Sequence, residues 1–194
     1  AAEISKADLV TGMVTEFTEL QGVMGREYAK LGGEVDEVAT AIDEHYLPRF
    51  AGDSQPKTTA GRILSLADKI DNIVATFSRG LVPTGSQDPF ALRRQALGLV
   101  NMLTEANWHI SMTEIVETSM DLLKVTDEVG REKISADFAE FIKLRLKNVL
   151  ADSTRYDVID AVLDDVDDIY SVTLKAAALE QFLAATDAVK NIQS

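Results

Sequence analysis

The chain has 194 residues, 46% of them hydrophobic, and a formal net charge of −13; that apolar content can bury a substantial core, and the length sits at the upper edge of one ordinary domain. It contains no cysteine, which excludes a disulfide framework, a thiolate metal site and a cysteine nucleophile. No apolar run approaches the roughly 18 to 20 residues of a membrane span, and the opening AAEISKADLV lacks signal-peptide character, so a soluble cytoplasmic protein is expected.

Apolar residues recur near every 3.6 positions throughout, whereas strict alternation is hard to find, so the predicted fold class is all-α with about nine helices. A first helix is expected from about residue 5 or 6, with Ser5 as N-cap and Leu9, Val10, Met13, Val14 and Phe17 inward. A second, over 19–31, turns Leu20, Val23, Met24 and Tyr28 inward and stops at Gly32 and Gly33. Gly22 and Gly25 inside it each cost about 1 kcal/mol relative to alanine, which suggests that another backbone packs closely there. The third, over 34–46, carries Val35, Val38, Ala39, Ile42 and Tyr46 on its apolar stripe and must end near Leu47 because Pro48 follows. After a loop over 49–57, a fourth helix spans 58–79 with Ile63, Leu66, Ala67, Ile70, Val74 and Phe77 inward.

The stretch PTGSQDPFALRR, residues 83–94, reads as an ordered loop that launches a fifth helix: Pro83 and Gly85 punctuate a turn, Asp88 is placed to cap, and Pro89 suits the first helical position. That helix is expected to run to about 105 and to hold Arg93 and Arg94 in its first turns. Further helices are expected over 112–124, 132–151, 155–164 and 167–184. Domain boundaries are weak. Residues 1–105 read as a helical core and 106–194 as a helical continuation packed on it as one structural unit, the best seam being 106–111. The run from Asp164 to Asp168, broken only by Val166, reads as carboxylates capping the next helix, and Lys143, Arg145 and Lys147 as a solvated basic face.

Four strings also resemble a known family, in the same order and at similar separations: KADLVTGMVTEFTELQGVMGREYA (6–29), EHYLPRFAGD (44–53), LADKIDNIVATF (66–77) and PTGSQDPFALRR (83–94). Together they are similar to the β subunit of the bacterial heterotetrameric glycyl-tRNA synthetase, in the helical segment likened to HD domains. Beyond residue 100, RYDVIDAVLDD (155–165) and LKAAALEQFL (174–183) continue the resemblance. The resemblance implies an HD-domain-like bundle that is a fragment of a longer chain. It implies a noncatalytic module supporting tRNA recognition and assembly with the α subunit into an α2β2 enzyme. That parent would be a class II glycine-tRNA ligase using ATP and magnesium to attach glycine to tRNA(Gly); no cofactor, membrane or DNA partner is expected for this segment.

HD-type domains hydrolyse phosphate esters with divalent metals held by a histidine, an adjacent His-Asp pair and a distant aspartate. Only His45 and His109 occur here, and neither is followed by aspartate. No catalytic residue and no metal ligand set is therefore expected, although a divergent HD-type metal-dependent phosphohydrolase stands as the alternative, beside a purely structural scaffold. His45, at the end of the third helix, is expected to form a polar helix-helix cluster with Asp68 and Asp71 of the fourth. Arg93, Arg94, Ser86 and Lys69 are the expected tRNA or interface contacts, since guanidinium groups suit phosphate or carboxylate bidentately. Residues 1–99 carry 10 basic against 14 acidic groups and residues 100–194 carry 9 against 18, so any RNA contact must be confined to a local basic spot.

Overall fold

The computed structural model describes residues 1–193, with side chains placed for 1–185. Every regular element among the described residues is helical, as the apolar periodicity predicts: α1 Gly12–Glu16, α2 Val23–Leu31, α3 Asp36–Glu44, α4 Thr59–Phe77, α5 Leu92–Ala106, α6 Met112–Leu122, α7 Glu128–Leu150, α8 Tyr156–Val162 and α9 Ile169–Gln193. Short 3-10 turns at Ala2–Ile4, Ala7–Val10 and Thr18–Leu20 precede α2. Packing divides the chain into two compact units, Ala1–Asn72 with Pro89–Met102 and Ile73–Asp88 with Leu103–Ser194. Both α4 and α5 contribute residues to each unit.

The first unit departs most from the sequence reading. The expected first helix is broken at Thr11, whose extended backbone ends one turn and whose hydroxyl accepts from the Val14 N–H to start α1. As a result only Val14 of the predicted apolar stripe is buried, while Leu9, Val10, Met13 and Phe17 are exposed and Asp8 is buried. The Asp8 carboxylate accepts from the Gly22 N–H at 2.7 Å, and Gly22 sits at φ 81° as the N-cap of α2. That positive φ starts the helix at Val23 rather than at 19.

The close approach expected at Gly22 and Gly25 is real but comes from side chains rather than backbone. A Cβ on Gly22 would stand 2.6 Å from the Tyr46 ring, and one on Gly25 would stand 2.8 Å from Ile42 Cγ2. Ala29, Ala39 and Ile42 form a small core between α2 and α3, with Ile4 and Val38 packed against it. Val35, expected inside, is exposed at the N-cap of α3.

Glu44, at the end of α3, accepts from the backbone N–H groups of Lys57 and Thr58, and Thr58 Oγ1 caps Gly61 N at 3.0 Å. This ties the α3 terminus to the first turn of α4. Along α4, Leu66, Ile70, Ile73, Val74 and Phe77 are buried, whereas Ile63 and Ala67 face outward. The fifth helix begins at Leu92, not Pro89: Pro89 and Phe90 form a turn and Ala91 adopts φ 52°. Arg93 and Arg94 still lie in its first turn.

In the second unit, α7 starts at Glu128, four residues earlier than expected, because Asp127 accepts from Gly130 N at 2.8 Å and brings Gly130 into the first turn. Ile134, Phe138, Phe141, Ile142, Leu146 and Leu150 of α7 are buried, with Val158 and Ile159 of α8 and Ile169, Val172 and Ala176 of α9. Arg145 is not on a solvated face: it is 7% exposed, lies 3.6 Å from the Phe141 ring centroid and donates to the Phe141 carbonyl. The acidic run caps two helices. Asp167 accepts from Thr113 N and Ser111 Oγ at the start of α6, and Asp168 accepts from Ser171 N in the first turn of α9 and pairs with His109 at 2.7 Å. Burial, the largest influence, works to raise both carboxyls, but the bonds from Thr113 and Ser111 and from Ser171 and His109 outweigh it and hold both below the usual aspartate value.

Candidate functional site

The first unit contains a polar cleft of about 380 Å³. Four segments build it. The C-terminal end of α3 supplies His45 and Tyr46, α4 supplies Asp68, Lys69 and Asn72, α5 supplies Arg94 and Gln95, and the N-terminal segment supplies Lys6, Glu19 and Gln21. Its wall on α4 follows from helical geometry: Ser65, Asp68, Lys69 and Asn72 are spaced i, i+3, i+4 and i+7, which places them on one face. Gly98 lets α5 approach, since a Cβ there would stand 2.7 Å from Cδ of Pro48.

Lys69 is the deepest charge, 4% exposed, donating to the His45 carbonyl at 3.1 Å and to Ser65 Oγ at 2.5 Å. Burial pushes its ammonium down to about 8; the Asp68 charge opposes this, while Lys6 and Arg94 add to it. His45 is fully buried, and its Nδ1 lies 2.7 Å from the Ile42 carbonyl. A carbonyl only accepts, so Nδ1 carries the hydrogen and Nε2 of the neutral ring presents a lone pair. Burial lowers the His45 pKa against the opposing effects of the Ile42 bond and Asp68. No protein group among the described residues hydrogen-bonds Nε2. At the rim, Asp68 pairs with Lys6 at 2.6 Å and accepts from Asn72, and Arg49 is held by Asp43. Arg94 is exposed, with no carboxylate partner among the described residues.

The structure therefore brings Lys69, Arg94, His45 and Asp68 to one cleft. His45 bonds Ile42 rather than Asp68 or Asp71, and Asp71 faces outward. Ser86 is exposed in the connection before α5 and Arg93 is half-buried; neither lines the cleft. Sequence reasoning missed Lys6, Asn72 and Gln95, although the 65, 68, 69, 72 spacing was a visible signal for Asn72. A divalent metal does not fit: Asp68 is engaged by Lys6, the Lys69 ammonium stands in the cleft, and no group of three or more His, Asp or Glu among the described residues could hold an ion.

The glycyl-tRNA synthetase β-subunit family matches residues 1–164. The chain belongs to that family. It is 49% identical over 98% of its length to the glycine-tRNA ligase β subunit of Clostridioides difficile, 52% identical over 93% to that of Desulforamulus reducens and 48% identical over 95% to that of Bacillus subtilis. It covers 28%, 27% and 26% of those relatives, so it corresponds to about a quarter of a family β subunit. Among the described residues no helix is long and apolar enough to cross a membrane.

Proposed function

We propose that this chain is a noncatalytic helical module of a glycyl-tRNA synthetase β subunit, supporting tRNA recognition and assembly with an α subunit. The parent is a cytoplasmic α2β2 class II ligase that uses ATP and magnesium to join glycine to tRNA(Gly), with those cofactors bound outside this segment. The observation that carries the reading is family membership across nearly the whole chain.

The geometry supports it in two ways. In a chain of net charge −13, the cleft concentrates Lys6, Arg49, Lys69 and Arg94 against Glu19 and Asp68. The 83–94 stretch carries exposed Ser86 and Arg94 beside Arg93, a polar surface suited to a phosphate backbone or to acidic side chains of a partner.

The test replaces Arg93 and Arg94 with alanine in the assembled enzyme. A rise in tRNA KM of about tenfold, with kcat little changed, is expected for lost backbone contacts; weakened α–β association is expected for an interface role. Unchanged aminoacylation kinetics together with unchanged association would reject the proposal.

A further inference from the structure

In the second unit, α6 and α7 pack against each other, and two hollows open along the face they share. One, of about 180 Å³, has Met112 and Val116 of α6 and Phe138 and Ile142 of α7 as its buried floor, with half-buried Val166 and exposed Ala139 at its sides. The other, of about 740 Å³, is lined by Glu117 and Asp121 of α6 and by Glu128 and Glu132 of α7, beside Met120 and Val125. Thr113 and Ser135 line both hollows, which makes them one groove. Helical spacing builds its walls: Thr113, Glu117 and Asp121 step by four along α6, and Glu128, Glu132, Ser135 and Ala139 step by four, three and four along α7. Its charge is one-sided. Arg131 is the one basic side chain lining the groove among the described residues, and Asp121 holds it at 2.6 Å. Glu117, Glu128, Glu132 and, at the far end, Asp164 are exposed and make no salt bridge among the described residues.

We propose that this groove docks a basic amphipathic α-helix of a protein partner. An apolar side chain of that helix enters over Val116 and Phe138, and its lysines or arginines meet the carboxylates on both walls. Charge selects this occupant. An RNA strand is repelled by the walls, and a second copy of the chain brings its own net charge of −13. The excess of 18 acidic over 9 basic groups in residues 100–194 draws a cationic segment in at long range and fixes its register at short range. Size points the same way: the apolar hollow of about 180 Å³ falls below the roughly 300 to 1,000 Å³ of small-molecule sites and suits a single anchoring side chain. The groove shares no residue with the 83–94 stretch and docks its helix whether or not Arg93 and Arg94 contact tRNA.

The full 194-residue chain with 13C-labelled methionine methyls provides the test. Of its five methionines, Met112 and Met120 line the groove, whereas Met13, Met24 and Met102 belong to the first unit. The probe is a peptide of lysine, leucine and alanine, about five helical turns long, with its leucines on one face. Titration is expected to move the Met112 and Met120 methyl signals to saturation and leave the other three fixed. A scrambled peptide of the same composition keeps the charge and loses the apolar face, and it is expected to bind about tenfold more weakly. Glu117→Lys combined with Glu132→Lys, both exposed and so compatible with folding, is expected to weaken the original peptide by about tenfold through two lost rim pairs and the repulsion that replaces them. Met112 and Met120 signals unmoved by the peptide, equal binding of the scrambled peptide, or affinity unaffected by the double substitution overturns the proposal. So does movement of the same two signals when the chain alone is concentrated, which assigns the face to a second copy, or when a single-stranded oligoribonucleotide is added, which assigns it to RNA.

Discussion

Lys69 is a buried ammonium whose neighbours are a carbonyl and a hydroxyl, and its pKa falls from 10.5 to about 8. Between those values the unfolded chain keeps a proton that the folded chain has released, so this group adds stability as pH rises through the window. Below about pH 8 both states are charged and the burial penalty is at its full size, on the order of 3 kcal/mol. Urea denaturation at about pH 7.5 and pH 10 should therefore show the native chain gaining stability relative to Lys69→Met; parallel behaviour of the two would mean Lys69 is not held in this environment. Gly22 makes a second prediction at this scale. Its φ of 81° and the Tyr46 ring 2.6 Å from a would-be Cβ add backbone strain to overpacking, so Gly22→Ala should cost about 2–3 kcal/mol in the same assay. The sequence flagged Gly22 as a close-packed position but not the reason, because a positive φ and a side chain arriving from residue 46 are both tertiary facts.

Helix centres were legible, and so were some ends, α2 stopping at Leu31 before Gly32 and α6 starting at Met112 as expected; the starts of α1, α2, α5 and α7 were not, and for one physical reason. Periodicity reports the buried stripe, which α4 and α7 carry over many turns, while an end is set by a single residue's backbone or cap. Thr11 breaks the first predicted helix by capping a new one, and Ala91 at φ 52° delays α5 to Leu92, past Pro89. The buried Asp8 had no local signal at all, since its partner is fourteen residues away at the start of α2. Positions 65, 68, 69 and 72 share a side of α4, so Asp68, Lys69 and Asn72 line one cleft. Caps also give the prediction at this scale. Asp167 accepts from Thr113 N at 2.7 Å and from Ser111 Oγ, while Met112 N donates to the Asp167 carbonyl. Asp167→Ala removes the side-chain part alone and should cost about 1–2 kcal/mol. Its depressed pKa means the contribution is present above the unfolded aspartate value and is lost as pH falls through the lower folded one; native and variant chains should converge in stability in acid, and a difference that persists unchanged there would assign the loss to packing instead.

At the scale of the whole molecule, charge decides what kind of nucleic-acid contact is possible. A net charge of −13 repels a polyanion at long range, so affinity for RNA must come from a few phosphates gripped locally and not from a general cationic field. Each phosphate neutralised releases counterions and steepens the fall of log K with log salt, by about 0.9 on B-form DNA and about 0.7 on a single strand. If Arg93 and Arg94 of the assembled enzyme each engage one phosphate, replacing both with alanine should flatten that slope by roughly 1 to 2 while affinity at high salt changes little. If they serve a protein interface instead, the slope stays as it was and the change appears in α–β dissociation. Measuring tRNA affinity at four or more salt concentrations for native and doubly substituted enzyme separates these outcomes. A slope left unchanged with association intact would reject a role for both arginines in tRNA recognition and in subunit assembly.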